Sequence, residues 1–172
     1  MNEIIASIVS RKSDRAFQQK PIARAELEEI VLAGMRAPSG RNRHTRRFTV
    51  VQDKTRLRSL AAVLGEETGA GASYDFYSPD ALILVSDTDA NPLAVEDCAC
   101  ALENLFLAAN ALGIGSVWIN QFKGLCGRPA VRAALRALGL PDDHSVWGCA
   151  ALGYAAQKNA AAQRKDDAVA WL

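Results

Sequence analysis

Apolar positions along this chain alternate between a helical and an extended period, and the changes of period mark out its elements. Ile4, Ile5, Ile8 and Val9 recur at helical spacing behind Asn2, a residue suited to accept from the first unpaired backbone N–H groups, which predicts an amphipathic helix over Glu3 to Val9. A charged loop follows. From Ala25 onward Leu27, Ile30, Val31 and Met35 fall on one helical face, and the pattern stops at Ala37 because Pro38 disfavours helical backbone in the residue before it. Phe48 to Val51 reads as a strand and Leu57, Leu60, Ala61 and Leu64 as one face of a helix. The glycine-rich stretch Gly65 to Ser73 reads as a mobile loop.

Ala81 to Val85 is wholly apolar, bounded by Pro79 and Asp87, as expected of a strand covered on both faces. Layers of helix must therefore lie over it. Leu93 to Leu112 is the longest helical segment, nearly uncharged after Asp97 apart from Glu103, which predicts a helix buried through the middle and closed by a turn at Gly113. Ser116 to Ile119 follows as a strand, Pro129 to Leu138 as a helix ending at Gly139, and Val146 to Leu152 as a last strand. Helices and strands interleave without regular βαβ repetition, so the expected class is α+β: a central mixed sheet flanked by helices. No repeat or linker divides residues 1–172, which predicts one domain.

Composition narrows the function classes. Twenty Lys and Arg nearly balance nineteen Asp and Glu, so no global field draws the molecule to nucleic acid or to an anionic membrane, and any anion specificity must be local. The N-terminus lacks a basic start followed by a long apolar core, and no apolar run approaches membrane-spanning length, which predicts a cytoplasmic protein. The four cysteines, Cys98, Cys100, Cys126 and Cys149, lack C-x-x-C spacing. Cys98 and Cys100 lie two apart on a helix, about 200° around it, so their thiols point apart and share no ligand. Reduced cysteines and no metal are expected.

Three segments carry candidate chemistry. In Arg11-Lys12-Ser13-Asp14-Arg15, cations and a hydroxyl sit among loop amides, a set that either donates charge-assisted hydrogen bonds to a phosphate or is a solvated loop. Ala37-Pro38-Ser39-Gly40-Arg41-Asn42 is either a connecting turn or a rigid loop whose amides meet a heterocycle. In Leu112 to Gln121 a buried helix passes to a strand and then to the polar pair Asn120 and Gln121; strand ends often bind ligands, and the same residues also suit a helix cap and a core strand. His44 and His144 are isolated and read as surface or loop histidines, so no catalytic dyad is expected.

Taken in order, Arg11-Lys12-Ser13-x-Arg15-x-Phe17, Ala-Pro-Ser-Gly-Arg-Asn, Asp97-Cys98-Ala99, Leu112-Gly113-Ile114-Gly115-Ser116-x-Trp118-Ile119-Asn120-Gln121 and Leu152-Gly153-Tyr154 resemble the nitroreductase family of FMN-dependent oxidoreductases, most of all its short branch. The likeness runs from about Ile4 to about Lys165. It implies an α+β homodimer with FMN at the subunit interface. By position, Arg11, Lys12 and Ser13 would meet the FMN phosphate and ribityl chain, with Arg164 and Lys165 reaching the phosphate from the tail, and Arg15 beside the pyrimidine edge. Pro38, Ser39, Gly40 and Asn42 would come from the opposite protomer, and Ile119, Asn120 and Gln121 would line the ring. The implied activity is ping-pong: NAD(P)H reduces FMN and leaves, and an electron-poor acceptor, a nitroaromatic or quinone, takes the electrons. A flavin-binding or sensing protein with little turnover, or a dehalogenase or dehydrogenase on the same scaffold, would share these residues.

Two departures bear on the acceptor. Similar sequences usually continue Arg-Gln-Pro-Trp after the asparagine, whereas here Arg43 is followed by His44-Thr45-Arg46. The basic run is either solvated surface, or it places Arg43, His44 or Arg46 at the pocket mouth to attract an anionic group. About thirty residues separate the Phe48 and Ala81 strands, too few for a long helical cover, so a more open site is expected.

Overall fold

The computed structural model describes residues 1–157 and 167–172. In chain order the elements are α1 (Glu3–Ser10), α2 (Arg24–Met35), β1 (Arg47–Val51), α3 (Lys54–Thr68), β2 (Ala81–Thr88), α4 (Ala94–Ala111), β3 (Gly115–Ile119), α5 (Pro129–Ala137) and β4 (His144–Gly153), with a short 3₁₀ turn over Gly40–Asn42. The sheet order is β1-β2-β4-β3, and every neighbouring pair is antiparallel. A parallel contribution comes from Ser13, which bridges Ser116 on the outer side of β3 and makes the sheet mixed.

The wholly apolar run of β2 is explained by two cores. Leu82 and Leu84 face one side of the sheet, together with Leu57, Leu60 and Leu64 of α3 and Val131 and Leu135 of α5. Ala81, Ile83 and Val85 face the other, against Leu27 and Ile30 of α2 and Leu102, Leu105 and Phe106 of α4. Successive strand residues point to opposite faces, so a strand between two helical layers must be apolar at every position. On α4, Cys98 is buried and Cys100 exposed, as their spacing requires. Burial pushes the Cys98 thiol up to about 12.

The differences from the sequence reading lie at element ends. α3 runs through Gly65 to Thr68, and Gly69, in left-handed backbone at φ 74°, ends it; the loop therefore starts four residues later than expected. β2 continues through the polar Ser86, Asp87 and Thr88 because these pair with Val146, Ser145 and His144. Ladder hydrogen bonds extend a strand where side-chain polarity gives no sign of it. His144 is thus the first residue of β4 rather than a loop residue, with Nδ1 3.3 Å from Ser86 Oγ.

Asp80 ties three element starts together. Its carboxylate accepts from the Ile22 N–H at 2.8 Å, from Gln52 Nε2 at 2.8 Å and from Lys54 Nζ at 3.0 Å. Burial works to raise its pKa, but these donors prevail and hold the carboxyl below its usual range. A depressed folded value means that the stabilisation is present above the unfolded carboxylate pKa of about 3.9 and is lost as pH falls through the lower folded value. Asp80→Asn should therefore cost about 2–4 kcal/mol at neutral pH, since hydrogen bonds to a charged group are lost together, and the deficit should shrink below about pH 4. Urea unfolding of both proteins across pH checks this; a deficit independent of pH would assign the loss to packing.

α1 buries none of its residues. It is fastened to α4 by polar bonds, with Asn110 Nδ2 donating to the Ser7 carbonyl at 2.9 Å, while Ile4, Ile5, Ile8 and Val9 remain 41–69% exposed. Among the described residues no helix is long and apolar enough to cross a membrane.

Candidate active site

The first predicted segment lies along the open side of β3. α4 ends at Ala111, Gly113 turns the chain at φ 72°, and the Ile114 N–H donates back to the Ala109 carbonyl at 2.8 Å, which sends the chain into β3. Beside it the Asp14 N–H donates to the Ser116 carbonyl at 2.9 Å, and Phe17 bridges Ala155. Asp14 is buried between the exposed Ser13 and Arg15, the alternation of an extended segment over these three residues, and Phe17 is buried further on. Ser13 and Arg15 thus present toward one side. Arg11 Nε stands 3.6 Å from Glu103 Oε1, and Lys12 Nζ stands 3.8 Å from Asp14 Oδ1, ion pairs longer than hydrogen bonds.

At the other end of β3 the expected ring-lining residues divide. Ile119 is 1% exposed and packs in the core, so its side chain does not line an open surface. Asn120 is exposed, and its N–H donates to Gln121 Oε1 at 3.0 Å. Gln121 also lines an open cleft of about 540 Å³ with Thr68, Tyr74 and Tyr77. A larger groove of about 780 Å³, between α2 and β1, contains none of the predicted residues, so size alone is a poor guide here.

The second segment, Pro38 to Asn42, is a strained and heavily tied loop. Arg41, Asn42 and His44 hold left-handed backbone at φ 55°, 55° and 51°, which non-glycine residues keep only when their surroundings impose it. The Gly40 N–H donates to Asp97 Oδ1 at 2.7 Å, and the His44 N–H to Ser39 Oγ at 3.1 Å. A Cβ on Gly40 would run into Leu93, which keeps the loop close to the start of α4. Asn42 Oδ1 and His44 Nε2 lie 2.6 Å apart. Arg46 turns inward and donates to the carbonyls of Ala37, Pro38 and Asp97 at 2.7–2.9 Å. This removes Arg46 from the residues expected at a pocket mouth; Arg43 stays exposed, and His44 is exposed with its ring against Asn42.

Within one chain the two segments do not converge. Asp97 holds the Gly40 loop and Glu103 faces Arg11, and six residues on a helix place them about 9 Å apart along the axis and about 120° around it. Arg164 and Lys165 lie outside the described residues. Sequence reading named Asp97 only within a motif and Arg46 only as a candidate at the pocket mouth, and gave neither the task of holding the Gly40 loop. Asp97 carried a signal, being one of two acidic residues in the first turn of a largely apolar helix and only 5% exposed once folded; Arg46 looked like its basic neighbours.

Comparison with known proteins identifies the family. A nitroreductase structure with bound FMN from Bacteroides fragilis is 38% identical and superposes with a TM-score of 0.93 over 100% of both chains. An Archaeoglobus fulgidus protein carrying the provisional name NADH dehydrogenase/NAD(P)H nitroreductase is 32% identical over 90% of this chain and 86% of its own length. The FMN reductase [NAD(P)H] of Bacillus subtilis is 27% identical over 72% of this chain and 56% of its own length. The family model described as the nitroreductase family matches residues 8–154, which includes all the described site residues, and the chain belongs to that family.

Proposed function

We propose that this protein is an FMN-dependent NAD(P)H oxidoreductase that works as a homodimer, with its cofactor held between the two subunits. The observation that carries this reading is the layout along β3. Phosphate-type donors, Arg11, Lys12 and Ser13, gather near Ser116, and an amide pair, Asn120 and Gln121, follows Ile119, about 10 Å further at ~3.3 Å per residue. That donor set fits an elongated cofactor with a phosphate at one end and a hydrogen-bonding heterocycle at the other.

When bound, FMN would supply the two-electron hydride chemistry that none of these side chains offers. Arg11, Lys12 and Ser13 bind the phosphate and ribityl chain, with Arg164 and Lys165 assigned to the same phosphate. Arg15, exposed on the same side as Ser13, is a permanent cation placed to stabilise negative charge that grows during reduction. Asn120 and Gln121 orient the ring. Pro38, Ser39, Gly40 and Asn42 complete the site from the opposite subunit, because within one chain their loop sits on a different side of α4 from Arg11. The apolar side chains of α1, Ile4, Ile5, Ile8 and Val9, are exposed together and supply a surface of the kind that closes between two copies. NAD(P)H and a nitroaromatic or quinone acceptor then use one open site in turn, the ping-pong order.

Adding NADH or NADPH anaerobically to the FMN-loaded protein tests the activity. The yellow colour should bleach within seconds and return on adding a quinone. A flavin that binds but bleaches with neither nucleotide would leave a flavin-binding protein without useful turnover.

A further inference from the structure

Five arginines lie between residues 36 and 47, and one of them differs from the rest: Arg36, Arg41, Arg43 and Arg47 are exposed, while Arg46 is half-buried with its guanidinium spent on main-chain oxygens. Its three acceptors sit at the two things that must stay in register, the carbonyls of Ala37 and Pro38 at the entry to the loop and the carbonyl of Asp97 in the first turn of α4. Asp97 returns the tie from its side chain, accepting the Gly40 N–H at 2.7 Å. Its other oxygen accepts from Asn91 Nδ2 at 3.0 Å, and Asn91 Nδ2 also donates to Asp87 of β2 at 2.8 Å. The loop is thereby connected to the sheet through buried groups. From Arg41 to Arg47 the run has no proline to stiffen it, yet three of its residues hold left-handed backbone. Such a shape persists only if its surroundings over-determine it.

We propose that Arg46 is a positioning residue: by joining Ala37, Pro38 and Asp97 it holds the loop Pro38 to Asn42 in its strained shape before the cofactor arrives, and so sets how long FMN remains bound. The inference rests on the reading that this loop contacts FMN. Arginine suits the task because one planar fork can serve several carbonyls at once and never loses its charge. A preorganised loop spares binding the cost of ordering it, and that saving appears mainly in the dissociation rate.

The test compares wild type, Arg46→Gln and Arg46→Lys, with Arg47→Gln as a control at an exposed neighbour. Amide hydrogen exchange is followed in the FMN-free proteins, and FMN release is followed by flavin fluorescence. In Arg46→Gln, exchange over residues 37–45 should rise on the order of tenfold while peptides from β2 and α5 are unchanged. FMN should leave about tenfold faster. Arg46→Lys should fall between, and Arg47→Gln should match wild type. Unchanged loop exchange in Arg46→Gln overturns the proposal, as does faster exchange with FMN release unaltered. Should Arg46→Gln not fold, Arg46→Lys decides alone, since wild-type behaviour there removes any need for the guanidinium fork. A wild-type protein that binds no FMN would sink the flavin reading, and the exchange comparison would still decide whether Arg46 holds the loop.

Discussion

Replacing Arg11 and Ser13 together with alanine is expected to cut this protein's preference for FMN over riboflavin sharply. The two side chains flank Lys12 at the start of the extended segment beside β3, where a guanidinium and a hydroxyl can both donate to a dianionic phosphate. Hydrogen bonds to a charged group contribute about 1.5–3 kcal/mol each, so losing two should weaken FMN by about 3–6 kcal/mol, roughly two to four orders of magnitude. Riboflavin, which lacks the phosphate, should bind the variant and wild type alike. Fluorescence titration with both ligands separates the cases. If the variant lost affinity for both equally, the segment would be supporting the fold rather than the phosphate.

A comparable effect is expected on assembly. Ile4→Glu with Ile8→Glu places two charges on the bare side of α1, where these side chains are 69% and 41% exposed and the helix contributes nothing to its own subunit's core. In a two-fold interface every substitution counts twice. At about 1.5 kcal/mol lost per aliphatic side chain, the dimer should weaken by at least about a thousandfold. Because Pro38 to Asn42 are assigned to the neighbour's site, FMN affinity should fall with it and recover as protein concentration rises, the mark of linked equilibria. Sedimentation with and without FMN measures both. A variant that sediments as a monomer yet keeps FMN at wild-type affinity would place the whole site within one chain. Thermal unfolding of the isolated variant should change little, since α1 buries none of its residues in its own subunit.

The elements themselves were legible in the sequence because their signals are local. The unbroken apolar run Ala81 to Val85 announced a strand between two helical layers, and Asn2, Pro38 and Gly113 marked where helices begin and end. Cys98 and Cys100 were placed on opposite sides of α4 by helical rotation alone. Boundaries were lost where pairing partners, not side-chain type, decide: Ser86 to Thr88 belong to β2 only because Val146 to His144 stand beside them. The same is true of the site. Its residue types and their order could be read along the chain, and they sufficed to suggest the family. Which arginine of the run 36–47 holds the loop could not, since Arg43 and Arg46 differ in nothing local; only folding brings Arg46 onto three carbonyl oxygens whose partners lie up to 51 residues away. Periodicity is a property of neighbours in the chain and is settled by the sequence itself. Which buried polar groups pair depends on long-range geometry, and that was decided by the tertiary structure.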